Sequence, residues 1–370
     1  MKYYIITGEA SGDLHGSNLV KEIKKLDNEA TVRCWGGDRM QEQGAQVVKH
    51  IRDLAIMGFV EVLKNLRTIF RNIDFCKKDI AEYKPDVIIF VDYPGFNLRI
   101  AKFAKQNGFK TVYYISPQLW AWKESRVKII RKYIDRMIVI FPFEKAFYAK
   151  HNITAHYVGH PLLDELQNFG SFDQNSWMKE HNLPEKPIIA LLPGSRKQEI
   201  VKMLPIFLQV VPHFNDFQFI IAGAPSIDLS LYLDLMAQNS VKVIFDQTYN
   251  ILQASQAALV TSGTATLETA LFKTPEVVCY KTGKFTFAIA KRIVNVKFIS
   301  IVNLIMDRLI VTELLQEELN AKNLVSKINE LIFNPEIRKK TMEDMIELRN
   351  KLGNKGASEK AALLISEIVK

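Results

Sequence analysis

Short apolar runs alternate with longer segments of helical periodicity along nearly the whole chain. Such alternation is typical of βαβ units, in which a parallel sheet is covered by helices on both faces. The pattern predicts six strands in the first half, over residues 3–7, 31–35, 87–91, 111–115, 137–141 and 155–158. It predicts five more in the second half, over residues 188–192, 218–222, 242–245, 258–261 and 276–280. Helices fit between the strands, for example over 15–26 and 98–107.

The two runs of strands are separated by a polar passage, residues 167–186, which is typical of a linker. Since 370 residues exceed one ordinary domain, the pattern predicts an α/β protein of two doubly wound domains. Such sheets bind ligands beyond the carboxyl ends of their strands, so we expect the site in a cleft between the halves. Residues 321–370 are helical in pattern, with breaks at Asn334-Pro335 and at 353–356.

Charge and composition narrow the function classes. The chain has 49 Lys+Arg against 40 Asp+Glu, a formal net charge of +9, which favours anionic partners such as phosphorylated ligands, acidic membranes or nucleic acid. Three dispersed cysteines without a CxxC spacing argue against a disulfide framework or a cysteine-rich zinc site, and favour a reducing cytoplasm. No signal peptide and no apolar run near the ~20 residues of a spanning helix are present, so we expect a chain that lies on a membrane at most.

The first predicted strand leads into a loop with glycines at positions 8, 12 and 16. Their spacing fits neither the dinucleotide fingerprint nor the P-loop. The loop offers Glu9, Asp13 and His15 beside the start of a helix, and Asp13 as a simple helix cap is an equal alternative.

Two further loops in the first half follow predicted strands. Asp92 follows the strand 87–91, where a carboxylate is well placed to act as a general base, although it could equally be a turn or cap residue. Trp120 and Trp122 follow the strand 111–115; their rings suit an amphipathic ligand, or pack under the loop.

Two loops in the second half have the character of anion sites. Gly194, Ser195 and Arg196 stand at a strand-to-helix junction, where backbone amides and a forked guanidinium suit a phosphate. The segment 262–268 is a second junction, with Glu268 one turn after Thr264 and able to accept hydrogen bonds from ribose hydroxyls; a hydroxyl cap is the alternative. Together they indicate a nucleotide diphosphate. No Asp-x-Asp pair occurs, which argues against a metal.

The segment 55–71 is basic and amphipathic. Phe59 belongs to an apolar stripe at helical spacing, and Met57 and Val60 widen that stripe. Core packing is the usual fate of such a stripe, but part of this one could contact acyl chains or a bilayer surface.

In order along the chain, these segments resemble the lipid-A-disaccharide synthases, a family of inverting glycosyltransferases with the GT-B fold. The matching segments are 8–13, 55–62, 92–97, 116–122, 158–162, 191–196, 262–268, 302–305 and 313–317. Each is short, but the ordered set is specific. Leu119 and Tyr93 depart from the family pattern, and they bear on acceptor fit rather than on the reaction. The resemblance implies an acceptor-binding domain of residues 1–165 plus about 340–370, and a donor-binding domain of residues 166–339.

The resemblance also implies the reaction. UDP-2,3-diacylglucosamine would donate its sugar to 2,3-diacylglucosamine 1-phosphate (lipid X), with inversion, to form a β-1,6-linked disaccharide 1-phosphate and UDP. The protein would be a peripheral one at the cytoplasmic face of the inner membrane of a Gram-negative bacterium, and a homodimer, with no cofactor, no metal and no nucleic-acid partner.

Roles follow for the candidate residues. Asp92 would be the base, and His15 would share this role or orient Asp92. The donor set is Gly194, Ser195, Arg196, Ser262, Gly263, Thr264, Glu268, Asn303 and Gln316, the last two by family position. The acceptor and acyl set is Glu9, Ser11, Asp13, Met57, Phe59, Val60, Trp120 and Trp122.

Three other functions compete with this one. The first is another GT-B activity on UDP-N-acetylhexosamines, such as a lipid-linked sugar transferase or the 2-epimerase. A non-catalytic nucleotide-responsive factor at the membrane is the second. Nucleic-acid binding is weaker, because the positive charge is spread along the chain.

Overall fold

The structure, a computed structural model, describes residues 1–54, 66–122, 124–170, 172–236, 241–283, 287 and 296–369. The chain divides into two compact units. Unit 1 comprises Met1–Asn168 and Leu352–Lys370, and unit 2 comprises Phe169–Lys351. The sequence analysis placed the corresponding limits at 165/166 and about 340.

Unit 1 contains a seven-stranded parallel sheet in the order β3-β2-β1-β4-β5-β6-β7. Its strands are β1 Lys2–Ile6, β2 Thr31–Gly36, β3 Gln46–His50, β4 Val87–Val91, β5 Lys110–Tyr114, β6 Arg136–Val139 and β7 Ala155–Tyr157. Its helices are α1 Ala10–Leu26, α2 Asp38–Glu42, α3 Leu66–Tyr83, α4 Pro94–Gln106, α5 Leu119–Trp122, α6 Val127–Tyr133, α7 Pro142–Ala149, α8 Leu162–Asn168 and the C-terminal α17 Ala357–Val369.

Unit 2 contains a six-stranded parallel sheet in the order β10-β9-β8-β11-β12-β13. Its strands are β8 Ile188–Leu192, β9 Gln218–Gly223, β10 Lys242–Phe245, β11 Ser255–Thr261, β12 Glu276–Tyr280 and β13 Thr312–Leu315. Its helices are α9 Gln174–Glu180, α10 Lys197–Leu208, α11 Leu229–Met236, α12 Thr248–Ala254, α13 Thr264–Leu271, α14 Ile301–Met306, α15 Ala321–Phe333 and α16 Pro335–Lys351. The expectation of two doubly wound α/β domains is confirmed.

Strand order locates the binding edge of each sheet. In unit 1 the order reverses between β1 and β4, and in unit 2 between β8 and β11. In open parallel sheets, ligands bind beyond the carboxyl ends of the strands at this switch point. The loops that leave these four strands begin at residues 7, 92, 193 and 262, so all four belong to segments that the sequence analysis selected for chemistry.

Four elements differ from the sequence-based expectation. Strands β3 and β13 were not predicted; both are edge strands of four or five residues with polar side chains among the apolar ones. The expected linker contains helix α9, whose Trp177 and Met178 are buried in the core of unit 2. Helix α1 begins at Ala10 rather than at residue 15, so Ser11 and Asp13 are helical residues rather than loop residues.

Several long-range hydrogen bonds join the C-terminal segment, which contains α17, to the rest of unit 1. The Asp164 carboxylate accepts from the backbone N–H groups of Gly356 at 2.6 Å and Ser358 at 3.3 Å, at the start of α17. The Tyr157 hydroxyl donates to the Leu352 carbonyl at 2.7 Å. A guanidinium N–H of Arg136 donates to the Leu364 carbonyl at 2.6 Å. Among the described residues, no helix is both long and apolar enough to cross a bilayer.

Candidate functional site

The loop after β4 has an unusual backbone. Asp92 and Tyr93 both lie in the left-handed region, with φ of 44° and 50°, which non-glycine residues rarely adopt. Tyr93 then serves as the N-cap of α4, with Pro94 at its first turn. The Tyr93 ring covers Gly8, where a Cβ atom would lie only 2.3 Å from the ring. Glycine is therefore required at position 8, and the loops after β1 and β4 pack together at the switch point.

The pKa of the Asp92 carboxyl group is raised toward neutral pH. Its pKa is raised from 3.8 to about 6, first by burial in the surrounding protein and second by the nearby Glu9 carboxylate, while the Tyr93 backbone N–H opposes the rise. Asp92 is nevertheless exposed to solvent. A carboxylate that is both reachable and close to pKa 7 has the properties of a general base.

Asp13 holds the neighbouring loop in place. Its carboxylate accepts backbone N–H groups of Gly37 at 2.6 Å, Arg39 at 3.2 Å and Met40 at 3.3 Å, so it caps helix α2 rather than its own helix. Asp13 is 4% exposed. Glu9 and Ser11, in contrast, are exposed at the start of α1. We therefore keep Glu9 and Ser11 as candidates for ligand contact and regard Asp13 as a residue that orders the loop.

His15 sits beside a second histidine on unit 1. Burial lowers the pKa of His15 to about 4, and burial together with His15 lowers that of His160 to about 3. His160 Nδ1 accepts the Leu162 N–H at 3.2 Å, whereas Nδ1 of His15 is buried and has no hydrogen-bond partner within the described part of the chain. Both imidazoles are therefore neutral at pH 7, and neither adds charge near Asp92.

Trp120 belongs to a polar network under the loop after β5. Its indole N–H donates to Glu144 at 3.3 Å, and its ring packs edge-on against Phe143. Glu144 is fully buried and also accepts the N–H groups of Ile140 and Phe141; burial raises its pKa to about 7 despite these donors. Met57, Phe59, Val60 and the side chain of Trp122 lie outside the described residues.

The first predicted anion loop of unit 2 contains its own carboxylate. Gly194 has φ of 123°, and a Cβ there would lie 2.6 Å from Glu199. Glu199 accepts the N–H groups of Ser195 at 3.1 Å and Arg196 at 3.3 Å, and its other oxygen is 3.2 Å from the Arg196 guanidinium. A phosphate that binds here must compete with Glu199 for these donors. The sequence analysis did not identify this residue.

The second anion loop is open where a ligand would approach it. Gly263 and Thr264 are exposed, and a Cβ on Gly263 would meet only the Thr261 carbonyl, at 4.0 Å. Glu268 is partly buried on α13; burial raises its pKa, and a hydrogen bond from the Tyr249 hydroxyl, at 3.2 Å, opposes the rise. Tyr249 itself contacts Phe272 and Phe169. Tyr249 was missed in the sequence, because it lies 19 residues from Glu268.

Ser262 and the two residues assigned by family position have distinct surroundings. Ser262 donates its hydroxyl to the Ile299 carbonyl at 3.4 Å. Asn303 is fully buried and bonds to Glu313, Ile310 and Val311, at 2.8 to 3.0 Å. Gln316 follows β13 with φ of 50°, and its side-chain Nε2 is buried, with no hydrogen-bond partner among the residues that the structure describes.

Asn303 can thus reach a ligand only if the loop bonds that it makes are broken. In the structure it orders the loop before β13. The Gln316 side-chain amide, in contrast, has an N–H donor that could bind a ligand. The described residues contain no group of three or more His, Cys, Asp or Glu that could hold a metal ion.

Comparisons with known proteins agree over the full chain. A family model described as lipid-A-disaccharide synthetase matches residues 3–368. A lipid-A-disaccharide synthase of Geobacter metallireducens is 37% identical over 372 residues, which cover 99% of this chain and 96% of the relative. One of Coxiella burnetii is 36% identical over 370 residues, covering 99% and 98%.

Solved structures share the fold at low identity. A UDP-GlcNAc 2-epimerase from Neisseria meningitidis, bound to UDP-GlcNAc, superposes with a TM-score of 0.69 at 15% identity, covering 99% of this chain and 100% of the other. The calicheamicin glycosyltransferase CalG4 superposes with a TM-score of 0.62 at 13% identity, covering 100% and 98%. The fold is therefore that of GT-B glycosyltransferases and of the 2-epimerases built in the same way.

Proposed function

The chain belongs to the lipid-A-disaccharide synthetase family and is a glycosyltransferase, and we propose that the residues described above carry out the family's reaction. The protein transfers 2,3-diacylglucosamine from UDP-2,3-diacylglucosamine to 2,3-diacylglucosamine 1-phosphate. The products are a β-1,6-linked disaccharide 1-phosphate and UDP, and the anomeric carbon is inverted. The other GT-B activities are not favoured, because the family match spans residues 3–368 and the 2-epimerases share only the fold.

Asp92 acts as the base in a single displacement. It takes the proton of the acceptor 6-hydroxyl while that oxygen forms a bond to the anomeric carbon, and the bond from that carbon to UDP breaks. A pKa of about 6 leaves Asp92 ionised at pH 7 and still basic enough to hold the proton. A positioned base of this kind contributes about 10²–10⁴-fold to the rate. Unit 1 accordingly binds the acceptor, with Glu9, Ser11, Trp120 and Trp122 in contact with it.

Unit 2 binds the donor. The Arg196 guanidinium and the amides of Gly263 and Thr264 stabilise the diphosphate as negative charge develops on it. Glu268 accepts the ribose hydroxyls, and Gln316 donates its unpaired amide to the donor sugar. One guanidinium nitrogen of Arg196 contacts Glu199, and the other N–H groups of the guanidinium would serve the diphosphate.

The protein acts at the cytoplasmic face of the inner membrane as a peripheral protein. Support comes from its formal charge of +9, which favours anionic lipid surfaces, and from acyl chains on both substrates. The segment 55–71, largely outside the described residues, supplies the apolar contact. A homodimer is proposed from the family resemblance alone.

The observation that carries this proposal is the reachable carboxylate of Asp92 at the switch point of unit 1, with its pKa near 6. The test is UDP release from the two diacyl substrates by wild type, Asp92→Asn and Asp86→Asn. Asp86 is a matched control, because it is a carboxylate at the amino end of the same strand and accepts the Lys2 N–H. We expect D92N to lose about 10²-fold or more of turnover while its Kd for UDP is unchanged.

Near-normal turnover of D92N would eliminate Asp92 as the base. We expect full activity in the presence of a chelator, because in this mechanism arginine and backbone amides, rather than a metal ion, stabilise the charge on the diphosphate. Conversion of UDP-N-acetylglucosamine without any acceptor would indicate the epimerase reaction instead.

A further inference from the structure

The proposed base and two other non-glycine residues near it lie in the left-handed region. They are Asp92, Tyr93 and Ile115, with φ of 44°, 50° and 63°. Ile115 is β-branched, which makes this conformation especially unfavourable. The backbone N–H of Asp92 donates to the Ile115 carbonyl at 3.3 Å, so the loops after β4 and β5 are joined at these residues. Local strain of this kind persists only where the surroundings impose it.

Two buried side chains impose the conformation on Asp92. The Asn97 amide Nδ2 donates to the Asp92 carbonyl oxygen at 2.7 Å, and the Tyr113 hydroxyl donates to the same oxygen at 2.6 Å. Asn97 and Tyr113 are both 0% exposed, so neither donor is exchanged for water. With two donors on one carbonyl oxygen, the peptide plane between Asp92 and Tyr93 is fixed. This plane sets where the Asp92 side chain leaves the backbone.

The arrangement is not the one that stability alone would favour. Oδ1 of Asn97 is buried and has no hydrogen-bond partner among the described residues, and a buried oxygen without a partner is destabilising. The Asn97 amide therefore leaves its oxygen without a partner while its nitrogen donates to the Asp92 carbonyl. A polar group retained at such a cost is explained by what it positions rather than by the stability of the core.

We propose that Asn97 and Tyr113 are positioning residues for the transfer reaction. By holding the Asp92 carbonyl, they keep Asp92 and Tyr93 left-handed and direct the Asp92 carboxylate to the carboxyl edge of the sheet. This inference rests on the proposed function, in which Asp92 is the base. Neither residue touches the reacting atoms in this account, so each acts only through Asp92.

The test is the variant Tyr113→Phe, which removes one donor and keeps the ring. A base displaced by about 1 Å loses rate heavily, so we expect kcat to fall about 10- to 100-fold while KM for both substrates and the Kd for UDP stay unchanged. Tyr114→Phe is the matched control. Tyr114 is equally buried on the same strand, but its side chain points to the opposite face, beside Ser358, so Y114F should keep wild-type kcat.

A double-mutant cycle separates positioning from general stability. In the D92N background, Y113F should have no further effect on the residual turnover, because the group through which it acts has been removed. An equal loss in both backgrounds would show a merely structural role and overturn the proposal, as would wild-type kcat for Y113F. Should Y113F not fold, Asn97→Ala is examined in the same cycle with the same expectations. Retention of turnover by D92N would instead contradict the proposed function itself.

Discussion

Replacement of Glu9 by Gln tests whether the surroundings of Asp92 set its basicity. The pKa of Asp92 is raised from 3.8 to about 6, and Glu9 is the second of the two causes, after burial. Removal of a nearby negative charge makes the carboxylate easier to form, so E9Q should move the acid limb of the pH profile of kcat/KM to lower pH. Since burial is the larger cause, we expect a shift smaller than the effect of burial, of about half a pH unit.

The expected change is large enough to measure. At pH 5, a base of pKa 6 is ionised in about 9% of molecules, whereas one of pKa 5.5 is ionised in about 24%. A shift of about half a unit therefore raises kcat/KM at pH 5, relative to its own plateau, by about 2.6-fold. Any change in acceptor affinity scales the whole curve and leaves the position of the limb unchanged.

The assay is UDP release as a function of pH, between about pH 4.5 and 8.5. Glu29→Gln is the control, because Glu29 is exposed in the turn before β2, at the amino edge of the sheet, and its loss changes the net charge equally. An acid limb that stays in place in E9Q, or moves to higher pH, would refute the argument; so would an equal shift in E29Q.

Three further predictions concern donor binding and stability. Arg196→Ala should weaken UDP binding about 10- to 100-fold, because a charge-assisted hydrogen bond to the diphosphate is lost, whereas uridine binding should be unchanged. Calorimetry with both ligands tests this, and an equal loss of affinity for UDP and uridine would contradict the prediction. Tyr249→Phe frees the Glu268 carboxylate to rotate and should reduce the preference for UDP over 2′-deoxy-UDP several-fold, by the same method; an unchanged ratio of Kd values would exclude the role. Glu144 has its pKa raised from 4.5 to about 7, so its contribution to stability is complete below pH 4.5 and is lost as the pH rises through 7, by up to about 3 kcal/mol. Thermal unfolding of Glu144→Gln across this range should lack that loss, and parallel curves for variant and wild type would count against it.

The central strands could be predicted from sequence because burial on both faces leaves a continuous apolar run. The limits of β4, β8 and β12 agree with the predicted ranges 87–91, 188–192 and 276–280. The edge strands β3 and β13 were missed because one side of each is unpaired, so polar residues such as Lys49 and Glu313 are tolerated within them. Helix α9 was missed because only Trp177 and Met178 among its residues are buried.

The candidate site was predictable in its loops but not in its contacts. Correct strand ends place Asp92 and Arg196 at the carboxyl edges of their sheets. However, the hydroxyl that holds the Asp92 carbonyl comes from Tyr113 on the next strand, and the carboxylate on the Arg196 loop comes from Glu199. These contacts depend on side-chain direction after folding. Asn303 illustrates the limit, because the sequence did not indicate that its side chain is buried and hydrogen-bonded to the loop before β13.

In the proposed mechanism, the two sheet edges supply groups of opposite charge. At the edge of unit 1, burial first and the Glu9 carboxylate second raise the pKa of Asp92, the proposed base. The edge of unit 2 supplies a guanidinium and backbone amides, which suit a diphosphate. An arginine placed next to Asp92 would lower the pKa of that carboxyl and weaken it as a base. A transferase that stabilises its leaving group with protein cations therefore benefits from two separate edges, and two parallel sheets, each with its own switch point, provide them.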